Sequence, residues 1–333
     1  MVNALPWIDA SKAYVLASCA LRWTTETTAG PAAKGRRTPD SGWSAATLGL
    51  QAHQALEEWA LSSQWREDDS GELLRERFRS LAQSNTEGLG AARIIGSKLI
   101  ARGRDLVERL RAANCEQLLP EEFVSDEDRR IRGGMDLVAV SDHAVHILDL
   151  KTGRGYARNR PLPDSAEFQL AVYSVLATRK WQRPVTVSIL SLEIGLIDDR
   201  DLSPEAAEIL VRGLEEKRTA ALATPTPKAI ASPEACGWCA LRSRCTVHWA
   251  AVESGVVTDA VAGTLERSSV AANGQASVIL MTAEGRQLVA GLCGVPSAAV
   301  GARVAALRVR RVEDSPNVWR ANASSEIVLM NVV

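Results

Sequence analysis

The stretch Gly133–Lys151 limits what this chain can become more than any other. It reads Gly-Gly-Met-Asp-Leu-Val-Ala-Val, then Ser-Asp-His-Ala, then Val-His-Ile-Leu-Asp-Leu-Lys. Apolar and β-branched residues on both sides of a short polar break predict two antiparallel strands joined by a tight turn. With the turn centred on Asp142-His143, residues symmetric about that point face each other, and Asp136 opposes Asp149. Opposed residues have Cβ atoms about 5 Å apart. Lys151 follows Asp149 by two residues and points to the same face. Two carboxylates this close repel, so one protonates unless a cation lies between them. A hard divalent ion with oxygen ligands, such as Mg²⁺, meets that need. The plainer alternative is a solvated hairpin whose outer face carries Asp, Asp and Lys.

The flanking segments supply further polar groups. Leu48, Ala52, Leu56 and Trp59 recur at helical spacing and predict a helix over Ser44–Ser62. His53 falls at the edge of that apolar stripe, with Gly49 one turn earlier leaving room beside it. Ala166–Trp181 predicts a helix that carries Gln169 and Tyr173 one turn apart on one face. Leu118–Val124 predicts a short strand leading into the hairpin, with Glu121 and Glu122 both available to the site. Ser11–Thr25 predicts a helix with Ser11 as its N-cap and Cys19 in its second half. Ser70–Cys115 is amphipathic with a break near Glu87–Gly90, Val185–Leu192 predicts a strand, and Pro204–Leu222 a helix.

The cysteines follow a metal-ligand spacing. Cys236-Gly-Trp-Cys239 and then Cys245 give C-x2-C-x5-C, which supplies three thiolates where a tetrahedral iron or zinc site needs four ligands. Cys19 completes a set of four cysteines; His248, three residues past Cys245, completes a local three-cysteine, one-histidine zinc site. Cys115 and Cys293 stand apart and are expected to be buried, inert thiols.

Taken in order, His53, the Gly133-Gly-Met-Asp136 turn of sequence, Asp149-Leu-Lys151, and Gln169 with Tyr173, bracketed by Cys19 and the three late cysteines, resemble the RecB-type branch of the PD-(D/E)XK nucleases. Within that branch the likeness is to the CRISPR-associated RecB-like exonucleases and the AddB-type nuclease domain, which carry an iron–sulfur cluster. It runs from about Ser11 to His248. Each motif alone is weak, and the ordered set is specific. One departure stands out: Ala20 follows Cys19 where the pattern usually has Pro.

The resemblance implies an α/β, restriction-endonuclease-like core, a mixed central sheet flanked by helices, over residues 1–250. It implies that His53, Asp136, Asp149 and the carbonyl of Leu150 hold Mg²⁺ or Mn²⁺, that Lys151 orients the attacking water, and that Gln169 and Tyr173 position the strand. It further implies a 4Fe–4S cluster on Cys19, Cys236, Cys239 and Cys245, acting as a structural staple. The expected activity is that of a deoxyribonuclease cutting DNA from an accessible end or in a single-stranded region. A non-catalytic DNA-end-binding or scaffold subunit, and a zinc-dependent nucleic-acid-binding module, are the alternatives.

Charge and composition bound these expectations. The net charge is −1, so DNA binding must come from local clusters. The candidates are Arg129, Arg130 and Arg132; Arg154, Arg158 and Arg160; and Arg308, Arg310 and Arg311. No apolar run approaches the roughly 20 residues of a membrane span, and the first residues lack the pattern of a signal peptide; a cytoplasmic protein with no membrane partner is expected. No phosphate-binding Gly-x-x-x-x-Gly-Lys-Ser/Thr loop occurs, so any helicase motor is another chain. From about Gly255 five β segments, Val256–Arg267, Ala276–Thr282, Arg286–Gly291, Ala302–Val312 and Glu326–Val332, with a tight turn at Ala283-Glu-Gly285, predict a small OB-like barrel over residues 255–333. Such a barrel either binds single strands, with Arg308 and Arg310 on one face and Trp319 as its aromatic, or docks a protein partner.

Overall fold

A computed structural model describes residues 5–28, 45–82, 89–153, 163–198, 202–294, 298–322 and 324–330. In chain order the elements of the first two-thirds are β1 (Ile8–Asp9), α1 (Ala13–Ser18), α2 (Ala20–Thr28), α3 (Ala45–Leu61), α4 (Ser70–Ala82), α5 (Leu89–Ala112), β2 (Gln117–Asp126), β3 (Ile131–Val140), β4 (Val145–Lys151), α6 (Asp164–Trp181), β5 (Val185–Ser191), β6 (Gly195–Asp198) and α7 (Pro204–Leu222). Then come α8 (Pro233–Cys236), α9 (Thr246–Glu253), β7 (Ala260–Val270), β8 (Ala276–Thr282), β9 (Gly285–Leu292), β10 (Arg303–Leu307), β11 (Arg310–Val312), β12 (Ser315–Arg320) and β13 (Glu326–Leu329). Two compact units result, one of Met1–Ala17 with Thr27–Ala220, the other of Ser18–Glu26 with Ala221–Val333.

The first unit is built on a mixed sheet in the order β1-β3-β4-β5-β6, with β2 also paired to β3. The hairpin pairs Leu137 with Leu148 and Val140 with Val145, the register expected from its sequence. The ladder ends at Leu137 and Leu148, and Asp136 and Asp149 lie just beyond this last pair. β4 then runs parallel to β5, which makes it an inner strand. One face of the sheet buries Leu137, Ala139, Leu148, Leu150 and Leu190 against Leu48, Ala52, Leu56 and Trp59 of α3, together with Leu74, Phe78, Leu106 and Leu110 of α4 and α5. The other face packs on α6. A strand covered on both faces needs a nearly continuous apolar run, and Val-His-Ile-Leu-Asp-Leu supplies one. Asp149 is only 2% exposed, which removes the plainer reading of a solvated hairpin.

The sheet and α6 meet closely at Gly133. A Cβ there would lie 2.7 Å from Cε1 of Tyr173 and 2.9 Å from the Cβ of Ala10. Gly133→Ala is therefore expected to destabilise the protein by about 1–3 kcal/mol and to displace Tyr173, measured as a lowered urea midpoint. An unchanged midpoint would show that α6 can retreat without penalty.

The N-terminal helix differs from expectation. It is divided at Cys19 into α1 and α2, at the point where the chain leaves the first unit after Ala17. Asp9, not Ser11, stands at the cap of the 3-10 turn Ala10–Lys12 that precedes it. Most of the break expected at Glu87–Gly90 lies outside the described residues.

The second unit carries a seven-stranded sheet in the order β11-β12-β9-β8-β7-β10-β13. The expected five-stranded OB-like barrel is not what forms. Among the described residues no pairing joins β11 to β13. The predicted strand Ala302–Val312 is interrupted where Arg308 takes φ 58°, giving β10 and β11. β12 lay outside the sequence reading because Pro316 and Asn317 weaken its β signal, yet it pairs with β9. The expected hairpin turn at Ala283-Glu-Gly285 is present, with Gly285 at φ 99°.

Candidate active site

Gly49 sets the position of α3. A Cβ on it would stand 2.9 Å from Oγ1 of Thr152, so only glycine lets this helix lie against the end of β4. One turn on, Nδ1 of His53 comes 3.4 Å from Oδ1 of Asp136. The other Asp136 oxygen accepts the backbone N–H of Leu150 at 2.6 Å. Both oxygens of this carboxylate are thus held by the first unit's own elements.

Glu121 joins them through a break in the β2–β3 ladder. Pro120 pairs with Leu137 and Glu122 with Met135, so Glu121 and Asp136 face each other in number but leave the ladder. Glu121 takes φ 47°, a conformation that costs a non-glycine residue about 1–3 kcal/mol and collects at functional sites. The strands change sides here: Leu137 and Ala139 pack toward α3, whereas Gly133 lies under Tyr173 of α6. One ligand atom from each of His53, Glu121 and Asp136 lies within 4.8 Å of the others. Glu122 turns away and pairs with Lys180.

Asp149 alternates with Leu148 and Leu150 and points to the α6 side, where Nζ of Lys151 lies 2.6 Å from its Oδ2. The same ammonium donates to Oε1 of Gln169 at 3.0 Å. Gln169 donates to the Tyr173 hydroxyl at 2.8 Å, and that hydroxyl donates to the carbonyl of Gly134 at 2.5 Å. Lys151, Gln169 and Tyr173 thus form one chain of donors back to β3. Asp149 stands beside the compact triad of His53, Glu121 and Asp136, not within it. Leu150 meets the site through its amide N–H.

The titrating groups report a site short of positive charge. Burial pushes the Asp149 carboxyl up to about 6, against the opposing pull of Lys151 and with the help of Asp136. Burial and Asp136 also raise Glu121. Burial draws His53 down, but its hydrogen bond and charge interaction with Asp136, with Glu121 and Asp149 behind it, leave it raised. Neighbouring acids that resist ionisation and a histidine that favours its cation both mark a place where a divalent cation fits.

A family model described as the PD-(D/E)XK nuclease superfamily matches residues 9–246. This chain belongs to the PD-(D/E)XK nuclease superfamily. No curated protein matches its sequence. Among solved structures, a protein of Eubacterium rectale described as a "putative exonuclease" is similar with a TM-score of 0.38 and 11% identity, over 72% of this chain and 87% of that one. A protein called SSO0001 is similar with a TM-score of 0.26 and 16% identity, over 60% of this chain and 96% of that one. The assignment rests on the family match, not on these weak likenesses.

Membership of the PD-(D/E)XK superfamily implies a metal-dependent nuclease, and the triad offers that metal a place. Because ligands must shed their protons, affinity for a divalent cation falls as pH falls. The raised His53 and Glu121 place the change above their ordinary ranges. Mn²⁺ binding is expected to weaken as pH falls, beginning above the ordinary histidine range because His53 takes up its proton early, with net proton release measured by calorimetry in buffers of different ionisation heat. Glu121→Gln should lower Mn²⁺ affinity about tenfold and reduce the protons released. A pH-independent affinity, or an unchanged one in the variant, would remove Glu121 from the metal site.

The described arginines of the three clusters have partners within the chain. Arg129 is held by Glu208 and Glu215 at 2.9 and 2.8 Å. Arg130 lies over the Trp7 ring, and Arg132 pairs with Asp9 at 2.5 Å. Arg308, Arg310 and Arg311 pair with Glu326, Glu313 and Glu284. Arg154, Arg158 and Arg160 lie outside the described residues.

In the second unit, Cys19, Cys236, Cys239, Cys245 and His248 line one pocket, with Arg22 and Arg242. Burial raises the Cys236 and Cys239 thiols, with the charges of neighbouring cysteines adding to it. Among the described residues no three of these ligand atoms come within 4.8 Å of one another. A tetrahedral zinc site with bonds of about 2.3 Å holds its thiolates about 3.8 Å apart. Cys115 is half-buried and Cys293 exposed, so neither is the sealed thiol expected: both sit at or beyond the ends of elements and not inside a core.

Proposed function

We propose that this protein is a Mg²⁺- or Mn²⁺-dependent deoxyribonuclease that degrades DNA from ends or in single-stranded regions. The observation that carries the reading is the junction at the end of the hairpin, where the His53–Glu121–Asp136 triad adjoins the buried Asp149–Lys151 pair. A divalent cation held by the triad supplies charge to the scissile phosphate and acidifies water there. The chain's own groups do the rest. Leu150 N–H and His53 fix Asp136. Asp149 and Gln169 hold Lys151 toward the site, where it can orient the attacking water and offset charge that develops on the phosphate. Tyr173, locked to Gly134, holds Gln169 in place.

The test is incubation of end-labelled single- and double-stranded DNA with Mn²⁺, beside the Lys151→Ala protein. Metal-dependent release of short products from ends by the wild type alone supports the reading. DNA retention without cleavage by the wild type would favour the second reading, a non-catalytic DNA-end-binding or scaffold subunit.

We further read Cys19, Cys236, Cys239 and Cys245 as the ligands of a structural 4Fe–4S cluster, supported by the pocket they share. The nuclease domain is taken as 1–250 and the accessory domain as 255–333, in a cytoplasmic protein that works with DNA and with a separate helicase or other repair or defence protein. Anaerobically purified protein should be brown, whereas a zinc site is colourless because Zn²⁺ is d¹⁰.

A further inference from the structure

Four thiols do not explain everything in the cysteine cavity. His248 is 0% exposed and Arg242 2% exposed, and both line that cavity. Neither ring nitrogen of His248 has a hydrogen-bond partner, and neither has Nε of Arg242. The arginine is not loose: Nη1 donates to the carbonyl of Gly237 at 2.8 Å and Nη2 to Oδ1 of Asp259 at 2.9 Å. Its guanidinium plane is therefore fixed, and the Nε–H points where the clamp leaves it. His248 is fixed as well, edge-on to Trp249 with ring centroids 4.7 Å apart. Burial, helped by the Arg242 charge, pushes the His248 imidazole down to about 4, so at neutral pH one of its nitrogens carries a proton.

A buried N–H without an acceptor bears the whole penalty of its desolvation. Two such donors on one thiol-lined pocket indicate an occupant rich in acceptors. A cluster with inorganic sulfides and thiolate ligands is such an occupant, and hydrogen bonds to its sulfurs are among the terms that set its potential. We propose that His248 and Arg242 are positioning and tuning residues that donate N–H hydrogen bonds to the sulfurs of a cluster ligated by Cys19, Cys236, Cys239 and Cys245. The proposal rests on the iron–sulfur reading above. The donors favour the more negative, reduced state, and His248 is a donor to the cluster and not one of its ligands.

The test uses the full chain purified without oxygen, as wild type, His248→Leu and His248→Gln. The midpoint is followed by electron paramagnetic resonance in a mediated titration. His248→Leu should retain its iron and colour while the reduced-to-oxidised ratio at the wild-type midpoint falls about tenfold, which is about 59 mV for one electron. His248→Gln, which keeps an N–H, should recover part of the difference. Pulsed resonance of the reduced wild type should show a weak histidine nitrogen coupling that both variants lose. Intact clusters with an unchanged midpoint overturn the proposal alone. A strong nitrogen coupling in the wild type, or loss of iron specific to both variants, overturns it by making His248 a ligand. Colourless wild-type protein holding one zinc and no iron sinks the iron–sulfur reading itself, and the proposal with it.

Discussion

Lys151→Ala lowers kcat by about 10²–10³-fold and leaves DNA affinity within a few-fold of the wild type. The reason is the position of Nζ, 2.6 Å from Asp149 and 3.0 Å from Gln169. Removing it takes away the ammonium beside Asp149 and strands a carboxylate that is 2% exposed. Since Lys151 is what holds the Asp149 pKa down against burial, the variant's Asp149 should bind a proton near neutral pH. Lys151→Arg restores charge but not the compact geometry of an ammonium, and should recover only part of the rate. Single-turnover cleavage of end-labelled DNA separates chemistry from binding. Undiminished turnover by Lys151→Ala would exclude Lys151 from the mechanism, and equal loss of binding would recast it as a substrate anchor.

Cys19→Ser produces the other large effect, on stability. Cys19 and Cys236 are more than two hundred residues apart in sequence, yet they line one cavity. A shared ligand set closes that long loop, a constraint on the unfolded chain of about 5 kcal/mol if treated as a cross-link. The variant should lose cluster iron and colour and melt well below the wild type, with little change in the intrinsic geometry of the first unit's site. Thermal unfolding by circular dichroism, paired with iron analysis, checks this. A variant with full iron and an unaltered melting point would show that Cys19 is not a ligand, leaving His248 to complete a local site.

Much of this was legible because it is local. Alternation and a four-residue break fix the hairpin's register, so Asp136 and Asp149 could be placed from their numbers. Gln169 and Tyr173 share a face because they are one helical turn apart. The choice between Glu121 and Glu122 was not legible. It depends on a positive φ that a Glu adopts only when surrounding structure compels it. Nor could the fate of the arginines be read. Arg129 meets Glu208 and Glu215, partners some eighty residues away, and nothing in the local pattern distinguishes an arginine bound for DNA from one bound for a glutamate. The division of the first long helix at Cys19 was equally hidden, since Ser11–Thr25 reads as an unbroken helical stretch.

By itself the sequence determined the order and chemistry of the site: which acids, which lysine, which thiols, and the antiparallel ribbon that holds the first two acids in step. Strand alternation and helical periodicity are properties of neighbouring residues, so they survive in a linear reading. Only the tertiary structure decided that β4 is an inner strand with Asp149 sealed from water, that Glu121 joins His53 and Asp136, and that the His248 ring nitrogens and the Arg242 Nε are left unpaired in residues lining the thiol pocket. Those outcomes depend on desolvation and on pairings between distant segments, quantities that take a value only once the chain has packed.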